Sequence, residues 1–296
     1  MRYRVTHRTA YAYGEPVDVA AHLLHLTPRE LPGQRVLSSR LESDPPPARL
    51  VSGPDHFGNI ATWLFHAEPH ASFAVTLSAE VEVGFAPPPP ARATPPWETV
   101  RDLAASAGQA AAEAAEFVFG TPMAPADPAA GAYAASSFAP GRPVLEGLLD
   151  LMGRIRRDFT FRIGVTTLST PVSQVLQSRA GVCQDFAHLM IAGLRAQGLP
   201  ARYVSGYIRT RPRPGQERRR GADQSHAWVG AWLGPEHGWV DLDPTNGLVV
   251  ADEHVVLGWG RDYADVSPVR GVILGGGRHG LTVSVDLDPL QQEFAA

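Results

Sequence analysis

The sequence predicts an α+β protein in which an antiparallel β-sandwich precedes a helix-rich region closed by further strands. Three observations carry that prediction. As far as Phe85, apolar and polar residues alternate with the period of two expected of half-buried strands. From residue 144 to 194, apolar residues recur at spacings of three and four, the period of an amphipathic helix. Between the two patterns stand Pro87, Pro88, Pro89 and Pro90, then Pro95 and Pro96. That stretch suits neither a helix nor a central strand and behaves as a semi-rigid spacer. The chain has 296 residues, 44% of them apolar and 19% charged, enough for one large or two ordinary domains with a buried core. The expected division is a β-sandwich over residues 1–86, a proline-rich linker over 87–96 and a second domain over 97–296 that includes the C-terminal strands.

In the first part, Tyr3, Val5 and His7 alternate with Arg4, Thr6 and Arg8, and residues 74–83 repeat the pattern. Asp55-His56-Phe57-Gly58-Asn59 reads as a turn, with Gly58 and Asn59 able to take positive φ. Past the prolines a helix is expected to open at Thr94 or Pro96 and run through an alanine-rich stretch to Phe119. Residues 120–143, rich in Pro, Ala and Gly, read as a loop. A second helix spans residues 144–157, with Leu145, Leu148, Leu149, Met152 and Ile155 on one face. A third starts at or near Cys183, carries Phe186, Leu189, Met190 and Leu194, and is stopped by Gly198 and Pro200. Residues 201–208 read as a strand. An arginine-rich loop follows (Arg209, Arg211, Arg213, Arg218, Arg219, Arg220); it is expected to be solvated, or to rim a cleft and favour acidic substrates. Residues 225–233 and 239–243 make a hairpin through Gly234 and Gly238, and short strands near 269–274 and 281–287 close the chain.

Composition excludes several functions. The net charge of −4 argues against a nucleic-acid partner. No stretch approaches the ~20 apolar residues that span a bilayer, and no apolar segment follows the charged N-terminus, so a cytoplasmic protein is expected. A single cysteine leaves no internal disulfide and no multi-cysteine metal or iron–sulfur site. All 26 basic residues are arginine, which removes Schiff-base chemistry and a Walker-type lysine. His22 and His25, and His66 and His70, have metal-like spacing but no acidic neighbour, and read as structural. Gly275-Gly276-Gly277 reads as a loop and not a phosphate cradle. No cofactor and no metal are expected.

What remains is Cys183. A thiol attacks as thiolate, and the free N–H groups and dipole of a helix N-terminus favour that form. A reactive cysteine also needs a base, and the base an orienter. His226 lies on a strand, and the hairpin folds Asp243 back to within a few positions of the residue facing it; Asp241, on the same strand face, is a rival for that place. His188 is a poor base for this thiol: five residues along the helix is about 140° around it. His237 falls in the hairpin loop.

Three segments carry a family resemblance: Gly181-Val182-Cys183-Gln184-Asp185-Phe186-Ala187-His188, then Ser225-His226-Ala227-Trp228-Val229, then Gly238-Trp239-Val240-Asp241-Leu242-Asp243-Pro244-Thr245-Asn246. Together, and in this order, they resemble the core motifs of the transglutaminase-like superfamily. Residues 3–13 and 55–59 resemble the N-terminal β domain of its bacterial members, and residues 261–266 their C-terminal stretch; residues 87–141 match nothing. The resemblance implies a papain-like core, with the cysteine helix packed on an antiparallel sheet. It implies Cys183 as nucleophile, His226 as general base and Asp243 as orienting acid, acting on a protein or peptide substrate by acyl transfer at an amide. Acyl transfer to small amines and an inactive binding module are the alternatives. One departure is visible: many members carry an acidic residue where this chain has Gly230.

Overall fold

The computed structural model describes residues 1–106, 108, 111–210 and 224–290. Among these the chain begins with β1 (Arg2–Leu24), β2 (Gln34–Asp44), β3 (Arg49–Pro54), β4 (Ile60–His66) and β5 (His70–Val83). Helices follow: α1 (Trp97–Ala105), α2 (Ala112–Ala115), α3 (Pro128–Ala135) and α4 (Val144–Asp158). Then come β6 (Thr160–Phe161), α5 (Val172–Ser178), β7 (Ala180–Gly181), α6 (Cys183–Ala196), β8 (Ala201–Ile208), β9 (Gln224–Trp232) and β10 (Trp239–Asp243). The described chain ends with β11 (Leu248–Val249), β12 (His254–Gly260), β13 (Val269–Gly275) and β14 (His279–Leu290). No helix among the described residues is long and apolar enough to cross a membrane.

β1 organises the first sheet. Its residues 2–12 pair with β5 on one edge, and residues 2–13 pair with β14 on the other. Residues 20–24 pair with β4, and residues 17–24 with β13. Between Ala12 and Val17 the register with β5 shifts, an irregularity of the kind that bends a strand. The predicted sandwich is therefore one hydrogen-bonded seven-stranded sheet whose two halves share β1. The period of two holds: Tyr3, Val5, His7 and Thr9 are buried and their neighbours are not.

The C-terminal strands need a correction. Their pattern marked them as strands of the second domain, but they complete the first sheet. β1 offers a second edge, and Val285 and Leu287 lie opposite His7 and Val5 and are buried there.

The second sheet is antiparallel, in the order β11-β10-β9-β8-β12, and α6 packs on it. Ala227 and Val229 of β9 meet Phe186, Met190 and Leu194 of α6 in one apolar core, with α4 behind it. Helix α3 lies in the stretch read as a loop. Asp127 caps it by accepting the Ala130 N–H at 2.9 Å, and Pro128 stands at its first turn. Its small residues let it approach α6 closely: a Cβ on Gly193 would lie 2.9 Å from that of Ala134. The long helix expected from Thr94 to Phe119 is broken instead: α1 ends at Ala105 and α2 begins at Ala112.

The two sheets share a core. Tyr207, Val255 and Leu257 of the second are buried with Tyr3, Val5 and Leu77 of the first. The turn at 55–59 ties them further. Asn59 lacks the expected positive φ; its side chain accepts from the Trp259 N–H at 2.9 Å and donates to the Trp259 carbonyl at 2.8 Å. Pro87, Pro88 and Pro89 line a cavity with Trp259 rather than standing free as a spacer.

Two outcomes follow from this packing. A fragment of residues 97–296 leaves β13 and β14 without β1, so it should show no cooperative thermal transition by circular dichroism; a sharp transition would mean that the two parts fold separately. Gly206 carries Trp228 directly over its backbone, where a Cβ would fall 2.3 Å from the indole and 2.2 Å from the Val255 carbonyl oxygen. Gly206→Ala should therefore cost about 1–3 kcal/mol of stability, read from the denaturant midpoint.

Candidate active site

The site starts from a helix end. Arg179 ends α5 in the left-handed region, at φ 52°, and turns the chain into β7. Val182 is then extended, and Cys183 is the first residue of α6. Asp185, at the third helical position, accepts the Val182 N–H and the Thr166 hydroxyl, each at 2.7 Å. Val182 has no side-chain acceptor, so this is half of a capping box. It fixes the first turn and leaves the leading N–H groups beside Cys183 without helical partners. The thiol is half-buried.

β9 and β10 bring the other two residues. Leu242 pairs with Val229, which sets Asp243 one step beyond the paired register and diagonal to His226. The His226 Nε2 lies 2.7 Å from the Asp243 Oδ2. Cys183 lines the same cavity as His226 and adds to the surroundings that favour charge on the imidazole. Asp243 has no solvent exposure. Besides His226, it accepts from the Asn246 amide at 2.7 Å and the backbone N–H groups of Thr245 and Asn246 at 3.0 and 3.1 Å. His254 of β12 approaches the same oxygen at 3.4 Å. Pro244 thus leads into a tight turn that wraps its own backbone around the carboxylate.

Burial opposes charge on His226, but the bonds to Asp243 and Cys183 outweigh it and push its pKa up to about 10. Burial would likewise raise Asp243. The hydrogen bonds from His226 and His254 win, and hold it well below the usual carboxylate range. A buried imidazolium beside a carboxylate, on the same cavity as a thiol, is an arrangement able to deliver a nucleophile and then a proton.

The rivals lie elsewhere. Asp241 accepts from the Trp228 indole at 3.0 Å and pairs with Arg202 at 3.5 Å. The missing acid at Gly230 is explained there: a Cβ would fall 2.6 Å from the Arg202 Nε and 2.9 Å from Asp241, so this ion pair holds the space. His188 is buried, accepts the Tyr263 N–H at 3.2 Å, and has its pKa lowered by burial to about 4. His22 stacks on Phe73 at 4.0 Å, His25 lies 3.4 Å from Asp55, and His66 meets the Pro45 carbonyl at 3.0 Å. Among the described residues no three such side chains are grouped to hold a metal ion. Arg209 faces Glu253 at 3.9 Å; Arg211, Arg213, Arg218, Arg219 and Arg220 lie outside the described residues.

Cys183 and His226 open on a cavity of about 300 Å³. The first sheet supplies one wall through His7, Thr9, Tyr11, Leu281 and Val283. A larger cavity, about 780 Å³, lies by Arg202, Trp239 and Trp259 and holds none of Cys183, His226 and Asp243. Asn246 and His254 escaped the sequence reading. Asn246 could have been found from its place in the Asp-Pro-Thr-Asn turn, but His254 carries no local signal and arrives through the β12–β8 pairing.

A helix-borne cysteine beside a strand-borne histidine and aspartate, on an antiparallel sheet, defines a papain-like thiol protein. Residues 3–82 match the bacterial transglutaminase-like N-terminal region and residues 132–244 the transglutaminase-like superfamily; the chain belongs to that superfamily. It is 44% identical to an uncharacterised protein of Mycobacterium tuberculosis over 98% of this chain and 93% of that one. With a protein-glutamine gamma-glutamyltransferase of Pseudomonas aeruginosa it shares 39% identity over 85 residues, 28% of this chain and 12% of that protein. The fold matches the crystal structure of a candidate cysteine protease from Cytophaga hutchinsonii, with a TM-score of 0.77 and 21% identity over all of this chain and 92% of that one.

The charge on His226 has a pH signature. Its folded pKa is raised, so its stabilisation is complete below the unfolded value of about 6.5 and is lost as the pH climbs toward about 10. Melting temperatures from pH 6.5 to 10 should fall more steeply for the native protein than for His226→Gln. Parallel slopes would show that His226 is not the titrating group.

Proposed function

We propose that this protein is a thiol-dependent acyl-transfer enzyme acting on amide bonds of a protein or peptide substrate, as a cysteine peptidase or amidase or as a transglutaminase. The observation that carries this reading is the buried 2.7 Å bond between His226 and Asp243, with Cys183 lining the same cavity as His226. Cys183 attacks the carbonyl carbon, His226 hands its proton to the leaving amine, and a thioester remains on the sulfur. Water or a second amine, deprotonated by His226, then releases the acyl group. Asp243 holds the ring and the charge on it. The local likeness to a protein-glutamine gamma-glutamyltransferase supports the amide as the bond attacked.

The cleft narrows the substrate. Apart from Cys183 and His226, its described lining carries no fixed charge. His7 contributes a neutral ring, since burial lowers its pKa to about 4. An uncharged acyl group suits such a wall better than an acidic one.

p-Nitrophenyl acetate tests the roles. A stoichiometric burst of nitrophenolate should disappear in Cys183→Ala. Asp243→Asn should slow it by roughly a hundred- to ten-thousand-fold. Asp241→Asn should leave the burst rate within a few-fold and lower stability instead, because it leaves Arg202 without its ion pair. A reversed ranking of the two aspartates would overturn the assignment.

A further inference from the structure

The proposed reaction places negative charge on the substrate's carbonyl oxygen, and the side chains of Cys183 and His226 do nothing for that atom. The helix end offers the Cys183 N–H. The Gln184 side chain is directed elsewhere, donating to the Leu168 carbonyl at 3.4 Å. A second donor is therefore needed from the cavity wall.

Tyr203 of β8 is that group's best match. It lines the same cavity as Cys183 and His226 and is only 3% exposed. Its ring is held by His188 at 5.0 Å and Tyr263 at 6.2 Å between centroids. Of the neighbouring hydroxyls, that of Thr9 is bonded to His7 at 2.8 Å, and that of Tyr263 accepts from the Ser267 hydroxyl at 3.2 Å. Among the described residues no hydrogen bond is found to the Tyr203 hydroxyl, and the residue lines the cavity. Its electrostatic coupling to Cys183 comes without a hydrogen bond to the sulfur. An oxyanion donor needs that relation, because it must reach the carbonyl oxygen and not the nucleophile. Burial, and then the charge of Cys183, raise its pKa well above the tyrosine value, which keeps the proton in place for donation.

We infer that Tyr203 is a further catalytic residue, whose hydroxyl, with the Cys183 N–H, binds the carbonyl oxygen as the thiolate adds. This rests on the thiol reading above. As the carbon–sulfur bond forms, the carbonyl π pair moves onto oxygen and the alkoxide is held by the two donors. When the carbonyl re-forms, the leaving group departs: an amine takes the proton of His226, and an activated phenolate leaves without it. Tyr203 keeps its own proton throughout.

The test compares two reactions of one sulfur. Displacement on iodoacetamide builds no oxyanion, whereas acylation by p-nitrophenyl acetate does. Tyr203→Phe keeps the ring and should alkylate with iodoacetamide at the native rate, while its acylation burst slows by about a hundred- to a thousand-fold. Acylation within twofold of native would overturn the assignment. Equal loss in both reactions would also overturn it, placing Tyr203 behind the thiol instead of beside the oxygen. A native burst that survives Cys183→Ala would sink the thiol reading itself and this inference with it, and that control separates the two failures.

Discussion

A carboxylate with no access to water sets the terms for everything around it. Asp243 must have its charge answered by protein, since an isolated buried carboxylate is costly enough to force its neutralisation. Two imidazoles, one amide and two backbone N–H groups provide the answer. They come from two strands and one turn and meet a carboxylate on a third strand, so β9, β10 and β12 must all be in register before the charge is covered. The hub therefore converts correct sheet pairing into a poised histidine. Asp241, two residues away, shows the other solution: it stays partly exposed and shares its charge with Arg202, whose guanidinium in turn stacks on Trp239 and Trp259. One strand thus carries two acids. Burial and partners give them different work.

β1 imposes the second constraint. A strand hydrogen-bonded along both edges has no exposed ladder, and here the partners come from opposite ends of the chain. The same strand directs His7, Thr9 and Tyr11 into the cleft. The His7 ring bridges the Tyr207 hydroxyl and the Thr9 hydroxyl at 2.8 Å each, so the wall of the cleft is hydrogen-bonded to β8. The first sheet is a structural part of the site, and the covalent order of the chain hides this.

Much of the site was legible because its signals are local. A glycine and an extended residue before an apolar 3.6 period place Cys183 at a helix start. A tight hairpin brings Asp243 back toward His226, and the family motifs choose Asp243 over Asp241. The fold was legible to the extent that periodicity names an element. Periodicity does not name the edge an element joins, so the pattern marks β13 and β14 as strands and does not show that they pair with β1. Composition misled at α3, where Pro, Ala and Gly suggest a loop. Read as positions, Asp127 and Pro128 are a helix start, and the small residues are the condition for close packing on α6. His254 was illegible because a pairing between distant strands, and no local pattern, brings it to Asp243.

The buried histidines give the sharpest comparison. Burial lowers the pKa of His7, His22 and His188 to about 4, so each is a neutral ring at ordinary pH. His226 is as inaccessible as they are, and burial opposes its charge too, yet it stands near 10. Sharing a helix with the thiol is not enough, since His188 does so and stays neutral. The carboxylate explains it first, and Cys183 adds to it. His188 accepts a backbone N–H, which suits a neutral ring and disfavours a second proton. His226 instead meets an acceptor that rewards one. Between His188 and His226, the charge of the partner decides which ring holds a second proton.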